Sequence, residues 1–172
     1  MLDVILENNA AGCTMDNTLD TIDTLKNIPL FFEFKPGQLE QIAQISDLIE
    51  IDPGDIPIHE GAKLDFVYIL LEGEIKVEVF VPTFGQVETS RLGPFDILGW
   101  SAMTPIVRQR TGTTTALTHC RLLRIDGKML YQLCEEDHDI GFIVYRRLAI
   151  VAARSFLTTR IQLMNLLAKS GN

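Results

Sequence analysis

The sequence predicts a mainly β protein with flanking helices, in which an antiparallel jelly-roll barrel (a double-stranded β-helix) precedes one long C-terminal helix. Eight short segments with alternating apolar residues lie between residues 48 and 125, and turn residues separate them. Many short strands at regular spacing are typical of barrels and jelly rolls. After residue 126 the apolar spacing becomes helical. A chain of 172 residues can hold one such domain with additional helices, but not two ordinary domains.

Two short helices are predicted ahead of the strands. Residues 1–18 are polar and lack a hydrophobic period, so we expect a mobile N-terminal arm. Regularly spaced apolar residues predict a helix over 17–27, which Pro29 ends, and a second helix that Pro36 begins. The expected organisation is an arm (1–18), a barrel with its flanking helices (19–137) and a long C-terminal helix (138–172).

Glycine- and proline-containing turns separate the predicted strands. In the segment 74–81, apolar residues occupy every second position, as in a strand with one buried face. Gly54, Gly61 and Gly73 stand in tight turns, where a positive φ favours glycine. The strands are expected at 48–51, 56–58, 66–71, 74–81, 86–92, 97–98, 113–116 and 121–125.

The long C-terminal helix carries two apolar strips. Asp126 is predicted to cap a short helix that runs through Cys134, and the long helix follows over 139–168. One strip repeats every seven residues, and the other lies elsewhere on the helix surface. We expect one strip to pack on the barrel and the other on a second copy, in a parallel homodimer. The first strip is Ile143, Ile150, Leu157 and Met164, and the second is Leu148, Val151, Phe156 and Leu163.

The charge pattern argues against nucleic-acid binding. The net charge is −8, whereas affinity for a phosphate backbone comes from clustered lysine and arginine. The segment 140–172 has five basic residues and no acidic ones, which leaves −13 on the rest. Because these basic residues alternate with apolar ones such as Ile150 and Phe156, we expect a helix that lies against an acidic body.

A cytoplasmic location and no membrane contact are expected. The most apolar segment, 140–157, is interrupted by three arginines, and the N-terminus lacks the pattern of a secretory signal. Cys13, Cys120 and Cys134 are scattered and odd in number. They are therefore predicted to be reduced thiols.

The stretch GWSAMTPIVRQRTGTTTAL contains the most informative spacing in the chain. Gly99 is placed to open a short helical turn, and Arg110 follows eleven residues later beside Thr111. Backbone N–H groups at a helix start and a guanidinium fork are both suited to phosphate oxygens. The stretch therefore predicts an anion site, although Arg110 could instead be a surface residue paired with a carboxylate.

Several segments resemble the cyclic nucleotide-binding domain of catabolite activators and of regulatory subunits of cyclic-AMP-dependent kinases. They are IPLFFEFKPGQLEQIA, DPGDIPIHEGAKLDFVYILLEGEIKVEV, and LGPFDILGWSAM followed by RTGTTTALTHCRLLRID. The resemblance implies a phosphate-binding cassette in which Gly99, Arg110 and Thr111 take the positions of the glycine, the arginine and the small residue after it. It further implies cyclic AMP or cyclic GMP as ligand, with no other cofactor, and signalling through the C-terminal helix.

Trp100 departs from the family pattern, which has a glutamate at this position to accept hydrogen bonds from the ribose 2′-hydroxyl. An indole has one N–H donor and cannot accept such a bond, although Ser101 next to it could partly compensate. Three interpretations remain open. Trp100 plugs a barrel that has lost its ligand, it stacks on a flat ligand or on Arg110, or the pocket accepts a different anion.

Thr158 and Thr159 resemble the hydroxyl pair that reads the purine in catabolite activators. If they do so here, the base would bridge the barrel and the dimer helix. In the alternative, both hydroxyls face solvent or bond to the helix backbone, which is equally compatible with the sequence.

Two other function classes are weighed against the sensor. No helix-turn-helix segment follows the long helix, so DNA binding is not expected. An enzyme or metal site is not expected either, because His59, His119 and His138 are far apart and no nucleophile–base pair is evident. The alternative to a ligand-binding regulatory domain is a degenerate, ligand-free barrel that acts as a dimeric protein-interaction module.

Overall fold

The computed structural model describes residues 15–61, 65–82, 85–104 and 112–170. The helices are α1 (Met15–Lys26), α2 (Pro36–Gln44), α3 (Gly127–Glu136) and α4 (His138–Ser170), with 3₁₀ turns at Pro29–Phe31 and Trp100–Met103. The strands are β1 (Ser46–Ile51), β2 (Phe66–Glu72), β3 (Ile75–Val81), β4 (Gly85–Leu92), β5 (Ile97–Leu98), β6 (Thr113–Ala116) and β7 (Cys120–Asp126).

The strands form two antiparallel sheets. One sheet has the order β1-β7-β2-β5, and the other has the order β4-β3-β6. Helices flank this β body, and the long C-terminal helix is present, so the predicted fold class is confirmed. Asp126 caps α3 as predicted, because its Oδ1 accepts a hydrogen bond from the Met129 N–H at 2.8 Å.

The four-stranded sheet is buried on both faces because its strands alternate between two apolar cores. On β7, Leu122 faces the interior of the barrel, whereas Leu123 and Ile125 face the helices. We call the first cluster the barrel core and the second the helix core. The barrel core consists of Ile58, Tyr68, Leu70, Ile75, Leu98, Ala116, Cys120 and Leu122. In the helix core, residues of α1, α2, α3 and the start of α4 pack against β2 and β7.

One predicted strand is absent. Of the segment 56–58, only Ile58 pairs, through an isolated antiparallel bridge to Thr114. The residue before it, Pro57, has no backbone N–H to donate to a ladder. The prediction of a strand at 56–58 is therefore wrong, although Ile58 itself is buried in the barrel core.

Burial of the apolar residues of α4 depends on their position along the helix axis, not on the side of the helix that they occupy. Ile143 is buried in the helix core, whereas its heptad partners Ile150, Leu157 and Met164 are 50, 55 and 61 % exposed. Leu148 is half-buried against the same core, and beyond it α4 leaves the helix core. Neither predicted strip packs on the barrel over its whole length.

The described cysteines are unpaired thiols. Cys120 and Cys134 are both buried and free, whereas Cys13 lies outside the described residues. Burial raises the pKa of the Cys134 thiol to about 12, so it stays protonated at neutral pH. Within the described part of the chain, no helix is long and apolar enough to cross a membrane.

Candidate functional site

The predicted cassette begins with a glycine in a left-handed conformation. Gly99 has φ 70° and directly precedes the 3₁₀ turn Trp100–Met103. The turn is closed by hydrogen bonds from the Ala102 N–H to the Gly99 carbonyl at 2.9 Å and from the Thr104 N–H to the Ser101 carbonyl at 3.0 Å. A residue with a Cβ adopts this φ only with strain, so the chain reverses here because position 99 is glycine.

The 3₁₀ turn is held firmly against the protein body. Met103 is fully buried in the helix core, and Ala102 packs beside it. A Cβ added at Gly127 would lie 2.7 Å from the Ala102 Cβ, which shows how closely α3 approaches this turn. Trp100 and Ser101 are half-buried. The turn therefore has a fixed position between the barrel and α3.

The other end of the cassette is also fixed, although its central residues are not described. Arg110 and Thr111 lie outside the described residues. At Gly112, which directly follows them, an added Cβ would lie 2.9 Å from the Glu78 carbonyl and 3.3 Å from a Val77 methyl. Strand β6 then pairs with β3. The described residues on either side of the predicted anion ligands are thus both packed against the protein body.

Helix α4 makes two polar contacts with the β body that the sequence did not reveal. The Arg154 guanidinium lies 3.7 Å from the Asp96 carboxylate, in the turn before β5. Eight residues further along, the Gln162 side chain donates a hydrogen bond to the Thr89 carbonyl on β4. Residues separated by four positions share one side of a helix, so Thr158 lies on the side of α4 that carries both contacts.

The two threonines of α4 differ in their bonding. Thr158 is exposed, midway between Arg154 and Gln162. Thr159 is exposed as well, but its Oγ1 donates to the Ser155 carbonyl at 2.9 Å. Thr159 thus matches the alternative of a hydroxyl bonded to the helix backbone, whereas Thr158 lies on the side of α4 that carries the Arg154 and Gln162 contacts.

The turn before β5 contains a strained residue. Phe95 has φ 70° although it is not glycine, and its side chain is 48 % exposed. Two backbone hydrogen bonds hold the turn to β2: Phe95 N–H donates to the Leu70 carbonyl at 2.7 Å, and Leu70 N–H donates to the Asp96 carbonyl at 3.0 Å. The strain lies directly beside the carboxylate that Arg154 contacts, so the link between α4 and the barrel is made at a strained turn.

The comparisons with known proteins identify the family. The family model for the cyclic nucleotide-binding domain matches residues 48–137, which is more than half of the chain. The chain belongs to the cyclic nucleotide-binding domain family. The matched range includes all seven strands except the first two residues of β1, together with the cassette and α3.

Solved structures show the same fold at low sequence identity. A cyclic nucleotide-binding domain from Methylobacillus flagellatus is 18 % identical, with a TM-score of 0.71 over 87 % of this chain and 84 % of that one. A Trypanosoma brucei regulatory subunit of a cAMP-independent protein kinase A, solved as a mutant with cAMP in its A site, is 20 % identical. Its TM-score is 0.71 over 86 % of this chain and 52 % of that one.

A curated relative places a similar domain within a longer protein. A protein of Rhodopseudomonas palustris that is named as a potassium channel is 27 % identical over 114 residues. The match covers 66 % of this chain and 27 % of the relative, so the chain spans about a quarter of that protein's length.

A polar clamp joins the N-terminal segment of this cyclic nucleotide-binding domain to the start of α4. The Gln38 side chain donates to the Asp137 carboxylate at 3.0 Å, and the same carboxylate accepts from the Ile140 N–H at 3.1 Å. Glu33 pairs with both Arg146 and Arg147. The hydrogen bonds from Gln38 and Arg146 lower the pKa values of Asp137 and Glu33, respectively, so both groups are carboxylates at neutral pH.

Two cavities that are lined by described residues lie away from the cassette. An open groove of about 680 Å³ lies between α1 and strands β1 and β7, and a cavity of about 20 Å³ lies beneath α4 in the helix core. Gly99, Trp100 and Ser101 line neither of them. In the part of the chain that the structure describes, no three side chains are grouped to hold a metal ion.

Proposed function

We propose that this domain is a sensor that binds a cyclic nucleotide, or a related anion, in its barrel and signals through α4. The observation that carries the proposal is the left-handed Gly99, which opens an anchored cassette inside a confirmed cyclic nucleotide-binding domain. Eleven residues later, Arg110 offers a guanidinium fork for two phosphate oxygens, and Thr111 offers a hydroxyl. We therefore assign the phosphate half of the proposed site to Gly99, Arg110 and Thr111.

The part of the site that contacts the ribose is expected to differ from that of family members with a glutamate at the position of Trp100. Trp100 cannot accept hydrogen bonds from a 2′-hydroxyl, so that interaction falls to Ser101 or is lost. We therefore expect weaker discrimination between ribose and deoxyribose ligands than an acceptor at position 100 would give. Because the half-buried indole of Trp100 lies within the cassette, its fluorescence should report ligand binding.

Signal transmission is proposed to use the side of α4 that faces the β body. The Arg154–Asp96 and Gln162–Thr89 contacts connect the helix to the barrel, and Thr158 lies between them. A ligand that touches Thr158 would favour one position of α4, because only differential affinity for two states can shift their populations. We propose no catalysis, nucleic-acid binding or membrane contact for this chain. We place it in the cytoplasm, because the described cysteines Cys120 and Cys134 are free thiols.

The direct test is a titration of the purified protein with cyclic AMP and cyclic GMP. The fluorescence of Trp100, the sole tryptophan, should change saturably with at least one nucleotide, and the melting temperature should rise at saturating ligand. AMP, which has the same base and sugar but an open phosphate, serves as the control ligand. No change in either measurement with both cyclic nucleotides would exclude them as ligands.

Homodimerisation is proposed through the exposed apolar face of α4, which consists of Ile150, Phe156, Leu157, Ile161, Leu163 and Met164. An apolar face of this length is unusual on a monomer. The Leu157→Asp variant should therefore sediment as a monomer at micromolar concentration, whereas the parent chain sediments as a dimer. Asn165→Asp, which adds the same charge outside that face, should leave the dimer intact. A monomeric parent chain would contradict the proposal.

A ligand-free interaction module is the second candidate function. It is favoured by Trp100, which stands where the family has a glutamate. Under this candidate, the titration gives no response with any nucleotide, while the dimer persists and binds a protein partner through the basic residues of α4 or the acidic surface of the barrel.

A further inference from the structure

A buried hydroxyl lies unpaired on the inner face of the three-stranded sheet. Thr114 is only 5 % exposed, and its Oγ1 has no hydrogen-bond partner within the described structure. Its backbone N–H is satisfied, because it donates to the Ile58 carbonyl at 2.9 Å. A buried unpaired hydroxyl costs folding free energy, whereas a valine methyl of nearly the same shape would fit without that cost. The position therefore calls for a functional reason.

Strand register places Thr114 between the barrel core and the cassette. Ala116, two residues on, pairs with Ile75, and both are buried in the barrel core. Side chains two positions apart share a face of a strand, so Thr114 points to the same interior as Ala116. In the other direction, Gly112 is two residues away, and Arg110 precedes it by two more. In sequence, Thr114 thus follows the predicted phosphate ligands Arg110 and Thr111 by four and three residues, near the start of β6.

Two of the three residues at the level of Thr114 carry hydroxyls, whereas the next level pairs the apolar residues Ile75 and Ala116. Thr114 pairs with Val77 on β3, and Val77 pairs with Ser90 on β4. These three residues form what we call the Thr114 rung. Its two hydroxyl residues lie about 10 Å apart, on either side of Val77, because neighbouring strands are about 4.8 Å apart. The adjacent hydroxyl of Thr89 is already used, since it donates to the Val77 carbonyl at 3.1 Å.

We propose that Thr114 Oγ1 is a ligand contact at the floor of the barrel site and donates a hydrogen bond to a phosphate oxygen of the bound anion. This inference rests on the proposed function of the same site. The hydroxyl is buried and has no partner among the described residues. It gains one when the ligand enters, so its bond contributes to affinity without first breaking another. Thr114 then helps to select oxyanions over neutral molecules of similar size.

The experiment compares Thr114→Val with Thr115→Val, using cyclic AMP and cyclic GMP as probes. Thr115 pairs with Lys76 on the outer face of the same strands, so the control removes a hydroxyl from the same strand but not from the interior. Thr114→Val should weaken binding about five- to tenfold, the effect of one lost hydrogen bond. Thr115→Val should leave the dissociation constant unchanged. Without ligand, Thr114→Val should unfold at the same temperature as the parent or higher.

Each outcome decides the inference. If the parent protein binds a cyclic nucleotide and Thr114→Val binds it with the same dissociation constant, the role of Thr114 is overturned, whereas the proposed function stands. A lower melting temperature of the free Thr114→Val protein would show that the hydroxyl has a structural partner, which also overturns it. A parent chain that binds neither nucleotide would defeat the proposed function, and the inference with it.

Discussion

Arg110→Ala is expected to weaken binding of cyclic AMP or cyclic GMP by on the order of 100-fold, the largest binding effect of any substitution in this domain. A guanidinium that forms two charge-assisted hydrogen bonds to a phosphate contributes far more than a neutral group, and alanine replaces neither bond. The measurement is the Trp100 titration, repeated with the variant. Arg110→Lys should retain the charge but lose the fork, and should lie between the parent and the alanine variant.

The matched control is Arg160→Ala, which removes an exposed arginine from α4 and so changes the net charge equally. It should bind like the parent. If Arg110→Ala binds as tightly as Arg160→Ala, Arg110 is not a phosphate ligand, and its surface alternative is correct.

Gly73→Ala is expected to cause the largest loss of stability, at least about 3 kcal/mol of unfolding free energy. Gly73 has φ 99°, and an added Cβ would lie 2.6 Å from both the Cys120 Sγ and the His119 carbonyl oxygen. The backbone strain and the two clashes act together, because neither the carbonyl nor the buried thiol can move without disturbing β7. Urea denaturation with the parent as reference measures the loss.

Gly54→Ala separates strain from clash. Gly54 has a similar φ of 95°, but nothing lies within 4 Å of the place where its Cβ would be. Only the strain applies, so we expect a loss of about 1 kcal/mol. Equal losses at the two positions would mean that the neighbours of Gly73 yield freely, which would contradict the close contact in the structure.

The strands could be predicted well because local patterns determine them. The alternating segments and their turns located seven of the eight predicted strands, and the positive φ of Gly54, Gly61 and Gly73 followed from their places in turns. The failure at 56–58 has a local cause too. The missing N–H of Pro57 limits pairing to Ile58, and the apolar pattern outweighed that signal in the prediction.

The contacts of α4 could not be predicted because periodicity says which residues share a face, not where along the helix the protein body ends. The heptad from Ile143 to Met164 is regular, yet only its first member is buried. The Gln162–Thr89 bond joins residues 73 positions apart, and no local pattern encodes it. The lack of a partner for the Thr114 hydroxyl among the described residues could not be predicted either, because the sequence does not show which group a threonine hydroxyl in a strand will contact.

Helix α4 is held firmly at its N-terminal end and only weakly over the rest of its length, so a small rotation at the fixed end would produce a large displacement at the other end. Its first turns are fixed by Asp137, Glu33 and the buried Ile140. Beyond Leu148, the polar contacts described between α4 and the β body are one long ion pair and one hydrogen bond. From Ile140 to Met164 the helix extends roughly 36 Å, at 1.5 Å per residue. A tilt of about 10° at the fixed end would carry the far end through about 6 Å, more than one helical turn. A change too small to disturb the barrel would thus be large enough to rearrange whatever α4 contacts.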